Sequence, residues 1–469
     1  MLKFVSHDAS PPLYYAILHF TMPLLGQSPV ALRIPPLVFG ILTIPLAFWV
    51  VKRADFTVKD QLLAALLVSA SSVLIYYSQE ARPYTMLAFF GLLSVGLLLQ
   101  GLRKASTGRA DLAYVAVLFI VCYTHRYGYF LVLGHLCCLL LYRQWRRLVI
   151  ASLAFLVVLV VLGLQIKRGM FGYGDSGHPA NVYSIYSLAN SLNVGTVGMQ
   201  HESVIPDAQH LGFSLAYINR ALLLCGAMVF LVLFAKAVTS YNALSVRQRQ
   251  FINVLMVCMI VPIILALLAG SPFSPRPQWL LRGLIFVWPL YYVVAVCALT
   301  RQRMIQACVI SLIVVLNGFS LFRYYTSYTR FPDADAFQKL NLLATGKDLI
   351  VADPWVMYEV VRYYYHGNAR LIGFSEEKGW LDVESMEKSN EFGTIAASRV
   401  PQVEGSIYVY NRKRDLKWIH TLRSHAVMVH QGAGLWQLYN RPDSSGQTLS
   451  ELRVAEYSDT LLSRRENGR

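Results

Sequence analysis

Residues 61–101 read QLLAALLVSASSVLIYYSQEARPYTMLAFFGLLSVGLLLQG. Two apolar runs, 61–77 and 84–101, flank a short polar insert that carries Glu80 and Arg82. Each run comes close to the roughly 20 residues that a helix needs to cross a bilayer. Charges confined to the junction of two such runs place that junction at a membrane surface, because an ionised group at mid-bilayer is costly. Working outward, further apolar runs occur at 33–51, 110–124, 127–142, 148–166, 213–235, 251–270, 283–300 and 304–322. With the first pair they predict a polytopic α-helical membrane body of about ten spans over residues 1–322, the shorter ones relying on neighbours or interfacial ends.

Composition agrees. Of 469 residues, 55% are hydrophobic and 14% charged, where a soluble domain carries roughly 25% charged. A purely soluble enzyme is thereby excluded, and so is a disordered chain. The net charge of +16 is unevenly spread: residues 1–322 hold 23 Lys+Arg against 8 Asp+Glu, and residues 323–469 hold 19 against 18. Of those 23 basic residues, 14 fall in alternate connections: Lys52, Arg53, Lys59; Arg103, Lys104, Arg109; Arg143, Arg146, Arg147; Lys236, Arg247, Arg249; and Arg301, Arg303. By the positive-inside bias these connections face the cytoplasm, and the charge is a topology signal rather than a nucleic-acid footprint. The other connections, and everything after Phe322, are then extracytoplasmic. All seven cysteines lie in apolar runs before Phe322 and read as core residues rather than a disulfide or zinc framework.

The second part reads as a small α/β domain over 323–441, followed by a polar tail, 442–469. Helices are predicted at Asp335–Leu343 and Trp355–Tyr365, and strands at Asp348–Ala352, Ser406–Tyr410, Ala426–Val429 and Leu435–Tyr439. Arg412-Lys413-Arg414 reads as a solvated basic face.

On the extracytoplasmic side of the membrane body the acids are Asp8, Glu80, Asp175, Glu202 and Asp207. Asp8 lies in His7-Asp8-Ala9-Ser10-Pro11-Pro12-Leu13-Tyr14-Tyr15, ahead of a short amphipathic segment, Leu13–Leu25. Glu80 lies in Tyr76-Tyr77-Ser78-Gln79-Glu80-Ala81-Arg82-Pro83-Tyr84. From the residues alone, Glu80 and Arg82 read equally well as an interfacial ion pair within an aromatic belt or as part of a reaction site. His7, His125, His178, His201 and His210 lie on the same side without metal-ligand spacing. Gly172-Tyr173-Gly174-Asp175-Ser176-Gly177 fits G-x-G-x-x-G but follows a span and opens no βαβ unit, so no nucleotide is expected.

Taken together with Ala31-Leu32-Arg33-Ile34-Pro35, Tyr123-Thr124-His125 and Arg282-Gly283-Leu284, these motifs resemble the GT-C superfamily of membrane glycosyltransferases. More closely, the chain is similar to the bacterial branch related to dolichyl-phosphate-mannose protein mannosyltransferases and the lipid A aminoarabinose transferase. The resemblance implies transfer of a sugar from a polyprenyl-phosphate donor to a lipid, glycan or protein acceptor at the outer membrane face. It implies Glu80 as a catalytic or orienting carboxylate and Arg82 and Arg282 as phosphate-binding groups, with Tyr84 and His125 as further substrate contacts. In such sites a carboxylate removes a proton from the acceptor while cations stabilise the departing phosphate. A divalent metal held by Glu80 and His201 is a further implication. The family opens its first loop with an acid after a first transmembrane helix; here the sequence begins inside that loop. The expectation is an upstream helix and acid, or Asp8 as base, or an inactive binding or assembly relative. A lipid flippase or transporter is the rival of another class. The absence of Asn-x-Ser/Thr sequons fits a bacterial plasma (inner) membrane.

Overall fold

The computed structural model describes residues 11–103, 108–167, parts of 224–238, 239–270, 281–327, 334–353 and 358–375, and the strand segments 379–381, 394–395, 407–411, 426–432 and 435–440. Asp8, the histidines at 7, 178, 201 and 210, the 172–177 glycine motif, Arg412–Arg414, most of the 213–235 run and the 442–469 tail lie outside the described residues. The chain divides into two compact units, Met1–Tyr328 and Thr329–Arg469.

The first unit is helical: α1 Leu13–Leu25, α2 Ile34–Lys52, α3 Val58–Ala70, α4 Ser72–Ser78, α5 Tyr84–Arg103, α6 Gly108–Thr124, α7 Gly128–Leu141, α8 Trp145–Lys167, α9 Val246–Ala269, α10 Val287–Ala298 and α11 Arg303–Ser327. Nine of the ten predicted runs therefore coincide with helical segments, but not all with full spans. Among the described residues five helices are long and apolar enough to cross a membrane, or six if α3 and α4, bent by 55° at their junction, count as one broken span. At 1.5 Å per residue the 14-residue α7 and the 12-residue α10 reach only about 20 Å, short of the roughly 30 Å hydrocarbon core. Ahead of α10, residues 281–284 form a 3₁₀ turn and 285–286 a further turn instead of more α-helix. The last helix, by contrast, runs five residues beyond Phe322, carrying Arg323, Tyr324 and Tyr325 with it.

The basic ends of these helices are tied together. Asp60, fully buried, is a member of the Thr57 capping box that opens α3. It also accepts from Arg303 at 2.6 Å, Thr300 at 2.8 Å and Gln306 at 2.9 Å. Arg147 donates to Asp111 at 2.9 Å, both buried, and to the Gly101 carbonyl. Asp55 pairs with Arg247 at 2.8 Å on the surface. Within the bundle, His135 of α7 lies between the Ser94 hydroxyl of α5 at 3.2 Å and the Tyr114 hydroxyl of α6 at 2.9 Å, locking three helices by polar contacts in an apolar interior.

The second unit is an α/β domain with a seven-stranded sheet in the order β4-β3-β2-β1-β5-β7-β6, where the strands are β1 Leu349–Asp353, β2 Arg370–Ser375, β3 Gly379–Leu381, β4 Thr394–Ile395, β5 Ile407–Asn411, β6 Ala426–Gly432 and β7 Leu435–Asn440. The central β1 pairs in parallel with β2, Leu349 opposite Arg370, and with β5, Leu349 opposite Ile407. The outer pairings are antiparallel. Leu349, Ile350, Val351 and Ala352 are all buried, the continuous apolar pattern of a parallel strand covered on both faces. Ile350 and Ala352 pack with Phe337 and Leu340 of α12, Ala334–Leu343, and with Tyr358 and Val361 of α13, Tyr358–Tyr364. Sequence reading anticipated α12, α13, β1, β5, β6 and β7, and missed β2, β3 and β4, which are short or lack clean alternation.

Candidate active site

The site is built at the end of the helical unit remote from the Asp60, Asp111 and Asp55 ion pairs. Its scaffold is the broken span. At Ser71 the backbone leaves the helix (φ −67°, ψ 111°), and the Ser71 hydroxyl accepts from the Leu74 N–H to cap α4. The Tyr292 hydroxyl of α10 donates to Ser71 Oγ at 2.9 Å. From α11, Asn317 Oδ1 accepts both the Ser72 N–H and the Ser72 hydroxyl at 3.0 Å. The seven-residue α4 then delivers Tyr76 and Tyr77, and the chain turns sharply through Gln79–Pro83: Glu80 N–H donates to the Tyr77 carbonyl at 3.3 Å and Arg82 N–H to the Glu80 carbonyl at 2.7 Å. Pro83, lacking an N–H, leads into α5 and accepts from Leu87.

Glu80 is half-buried and Arg82 exposed on this turn. Arg82 Nη1 donates to the Tyr15 hydroxyl of α1 at 3.4 Å. Beside it, burial pushes the Tyr14 phenol well above its ordinary value, Tyr15 adding to the effect and Arg82 opposing it. The Tyr14 hydroxyl is fully buried and has no hydrogen-bond partner among the described residues. Gln79 bridges to the end of α11: Tyr324 donates to its Oε1 at 3.2 Å, and its Nε2 donates to the Tyr325 hydroxyl at 2.9 Å.

Tyr84, at the start of α5, is the hub of the other half. Its ring lies 5.0 Å from that of Tyr77 and 5.9 Å from that of His125, and the Arg282 guanidinium stands 5.8 Å from its centroid. The Glu80 N–H is held on the Tyr77 carbonyl, so the residue that carries the carboxylate adjoins this ring cluster. His125, just after α6, is buried and accepts the Tyr127 N–H at its Nδ1 (3.2 Å), so in the neutral ring the proton sits on Nε2. Arg282 is brought near by Gly283. A Cβ there would lie 2.6 Å from the Tyr127 ring, so only glycine lets the 281–284 turn seat against that tyrosine.

Five sequence-predicted residues, Glu80, Arg82, Tyr84, His125 and Arg282, thus stand on four segments that meet at one end of the bundle. Sequence reading did not identify Tyr127 with Gly283, or Gln79 with Tyr324 and Tyr325. Tyrosines at helix ends mark an interfacial belt, but nothing in one sequence says which of them touch. Two expected residues, Asp8 and His201, lie outside the described residues. Among the described residues no group of three or more His, Cys, Asp or Glu side chains could hold a metal ion. Glu80 offers one carboxylate where a divalent cation wants several ligands, so these residues alone do not make a metal centre.

At this end of the bundle stand one carboxylate residue, Glu80, and two guanidinium groups, Arg82 against Tyr15 and Arg282 over Tyr84. Residues 9–166 match the family described as dolichyl-phosphate-mannose-protein mannosyltransferase. In fold, the chain is similar to the crystal structure of ArnT from Cupriavidus metallidurans in the apo state, with a TM-score of 0.59 and 13% identity over 94% of this chain and 89% of that one. It is similar too to the same protein bound to undecaprenyl phosphate, with a TM-score of 0.55, 13% identity and the same coverage. No curated protein sequence matches the chain.

Proposed function

We propose that this chain, which is like ArnT in fold and matches the protein mannosyltransferase family over residues 9–166, is a multi-pass membrane glycosyltransferase of the GT-C type that transfers a sugar from a polyprenyl-phosphate donor to an acceptor at the outer face of a bacterial plasma membrane. The observation that carries the reading is that the Glu80–Arg82 turn and the Arg282–Tyr84–His125 group lie at the same end of the bundle, joined through the Tyr77 and Tyr84 rings. The undecaprenyl phosphate bound to ArnT supports the class of lipid.

In this proposal Arg82 and Arg282 bind the phosphate that leaves when the sugar–phosphate bond breaks, each planar fork giving two parallel hydrogen bonds to its oxygens. Tyr84 and His125 form the wall against which the sugar lies. Glu80 orients the acceptor hydroxyl, and the proton passes to Glu80 or to Asp8. The acceptor is a lipid, a glycan or a protein. Glu80 with His201 is the proposed ligand pair for a divalent ion, and no step above depends on it; transfer that survives exhaustive chelation would remove the ion from the proposal.

The test incubates the full chain in lipid nanodiscs with radiolabelled polyprenyl-phosphate sugars and a membrane extract as acceptor. Glu80→Ala should lower turnover by about 10²–10⁴-fold, the usual worth of a positioned acid or base, and Arg282→Ala should weaken undecaprenyl phosphate binding. Equal transfer by the wild type and Glu80→Ala would take Glu80 out of the mechanism. Binding of undecaprenyl phosphate without transfer of any sugar would favour a binding or assembly protein.

A further inference from the structure

The broken span between α3 and α4 sets where the Glu80 turn lies, and its cause can be traced. In an uninterrupted helix the Ser72 N–H would donate to the Val68 carbonyl. Here that carbonyl is taken by Ser71 at 3.4 Å, and Ser72 donates instead to Asn317 Oδ1, 245 residues away on α11. The same oxygen takes the Ser72 hydroxyl, while Asn317 Nδ2 donates to the Ile313 carbonyl of its own helix at 3.0 Å. Asn317 is 1% exposed and Ser72 2% exposed, so water does not reach the break to substitute. Non-helical backbone at membrane depth persists only where other groups of the protein satisfy it. Tyr292 holds the neighbouring Ser71 hydroxyl from α10. Residues 70–72 hold no glycine or proline; the break is held by the local Ser71 cap on Leu74 together with these partners from α10 and α11.

We propose that Asn317 is a positioning residue: by accepting the Ser72 N–H it holds the 55° break that aims α4 and the Glu80–Tyr84 turn into the site. The consequence for ligand binding rests on the function proposed above; the consequence for geometry does not. With α4 about 10 Å long, straightening the 55° bend would carry its far end about 10 Å. Glu80 follows directly after that end, and a misplacement of about 1 Å is enough to cost roughly 100-fold in turnover.

The experiment uses the full chain in nanodiscs with spin labels at Leu66 and Ala81, one on each side of the break, and undecaprenyl phosphate as the binding probe. Asn317→Leu should lengthen the label separation and weaken undecaprenyl phosphate binding by about tenfold. Adding Ser72→Pro should restore both. Proline has no N–H to satisfy and is tolerated at the first position of a helix, and Ser71 already has the extended conformation that precedes proline. Should the leucine variant not fold, Asn317→Ala carries the same expectation. An unchanged separation in a folded Asn317 variant overturns the proposal, as does a changed separation with undiminished binding, or failure of Ser72→Pro to restore the wild-type separation. A wild type that does not bind undecaprenyl phosphate would retire the proposed lipid, while the label separation would still decide the role of Asn317.

Discussion

At the scale of single residues the site depends on close approaches more than on charge. Gly283 lets the turn carrying Arg282 lie against the Tyr127 ring, whose backbone N–H fixes the His125 tautomer. Gly283→Ala should therefore act at a distance from its own atoms: the added methyl displaces Tyr127, costs about 1–3 kcal/mol as overpacking, and moves Arg282 away from Tyr84. The expected result is a lower thermal midpoint together with weaker undecaprenyl phosphate binding; a variant with wild-type binding would show that the Tyr127 contact is incidental. Glu80 and Arg82 stood out in the sequence because charge at a helix junction is rare in so apolar a chain, though the residues alone left an ion pair and a reaction site equally open. Tyr127 did not, since one tyrosine among 28 carries no mark of the glycine it faces.

At the scale of elements, polar side chains tie the helices at places that apolar periodicity does not register. Asp60 is fully buried and accepts from Arg303, Thr300, Gln306 and the Thr57 cap, joining the start of α3 to the start of α11. Arg303→Ala should destabilise the protein by about 1–3 kcal/mol, less than for a fully buried pair because the Arg303 side chain is 41% exposed and Thr300, Gln306 and Thr57 still donate to the carboxylate. Asp60→Asn combined with Arg303→Ala should recover part of that loss, since the uncompensated charge is then gone. Thermal unfolding of the single and double variants in detergent measures both, and a double variant no more stable than Arg303→Ala would contradict this account. The capping box around Thr57 and Asp60 has a local sequence signature, Thr-x-x-Asp, as does Ser245-x-x-Gln248 before α9. The link from Asp60 to Arg303 and the Ser94–His135–Tyr114 lock have none, because their partners lie on separate helices.

At the scale of the whole molecule, the basic residues around Arg53, Arg103, Arg147 and Arg303 gather at one end of the bundle. Arg103 is within electrostatic reach of Asp55, Arg247 and Arg53, so loops far apart in sequence share that end. The positive-inside bias predicts that this end faces the cytoplasm and the Glu80 turn faces out. In intact cells, a cysteine introduced at Ala81 should react with a membrane-impermeant maleimide, and one at Asp55 should react only after permeabilisation. The reverse pattern would invert the topology and move the proposed chemistry to the cytoplasmic face.

The sequence by itself determined that the chain is a membrane protein, which helix ends carry its positive charge, where most of its helices lie, and that a strand at Asp348–Ala352 belongs to a second, α/β unit. These properties follow from local terms, transfer of side chains into lipid and short-range periodicity, that add up along the chain. Only the tertiary structure decided that Val58–Ser78 is bent by 55° into two helices, that α7 and α10 are 14 and 12 residues long, and that Arg282 meets Tyr84 while Asn317 meets Ser72. Those outcomes depend on hydrogen bonds and ring contacts between residues far apart in sequence, and their energy exists only after the helices have packed.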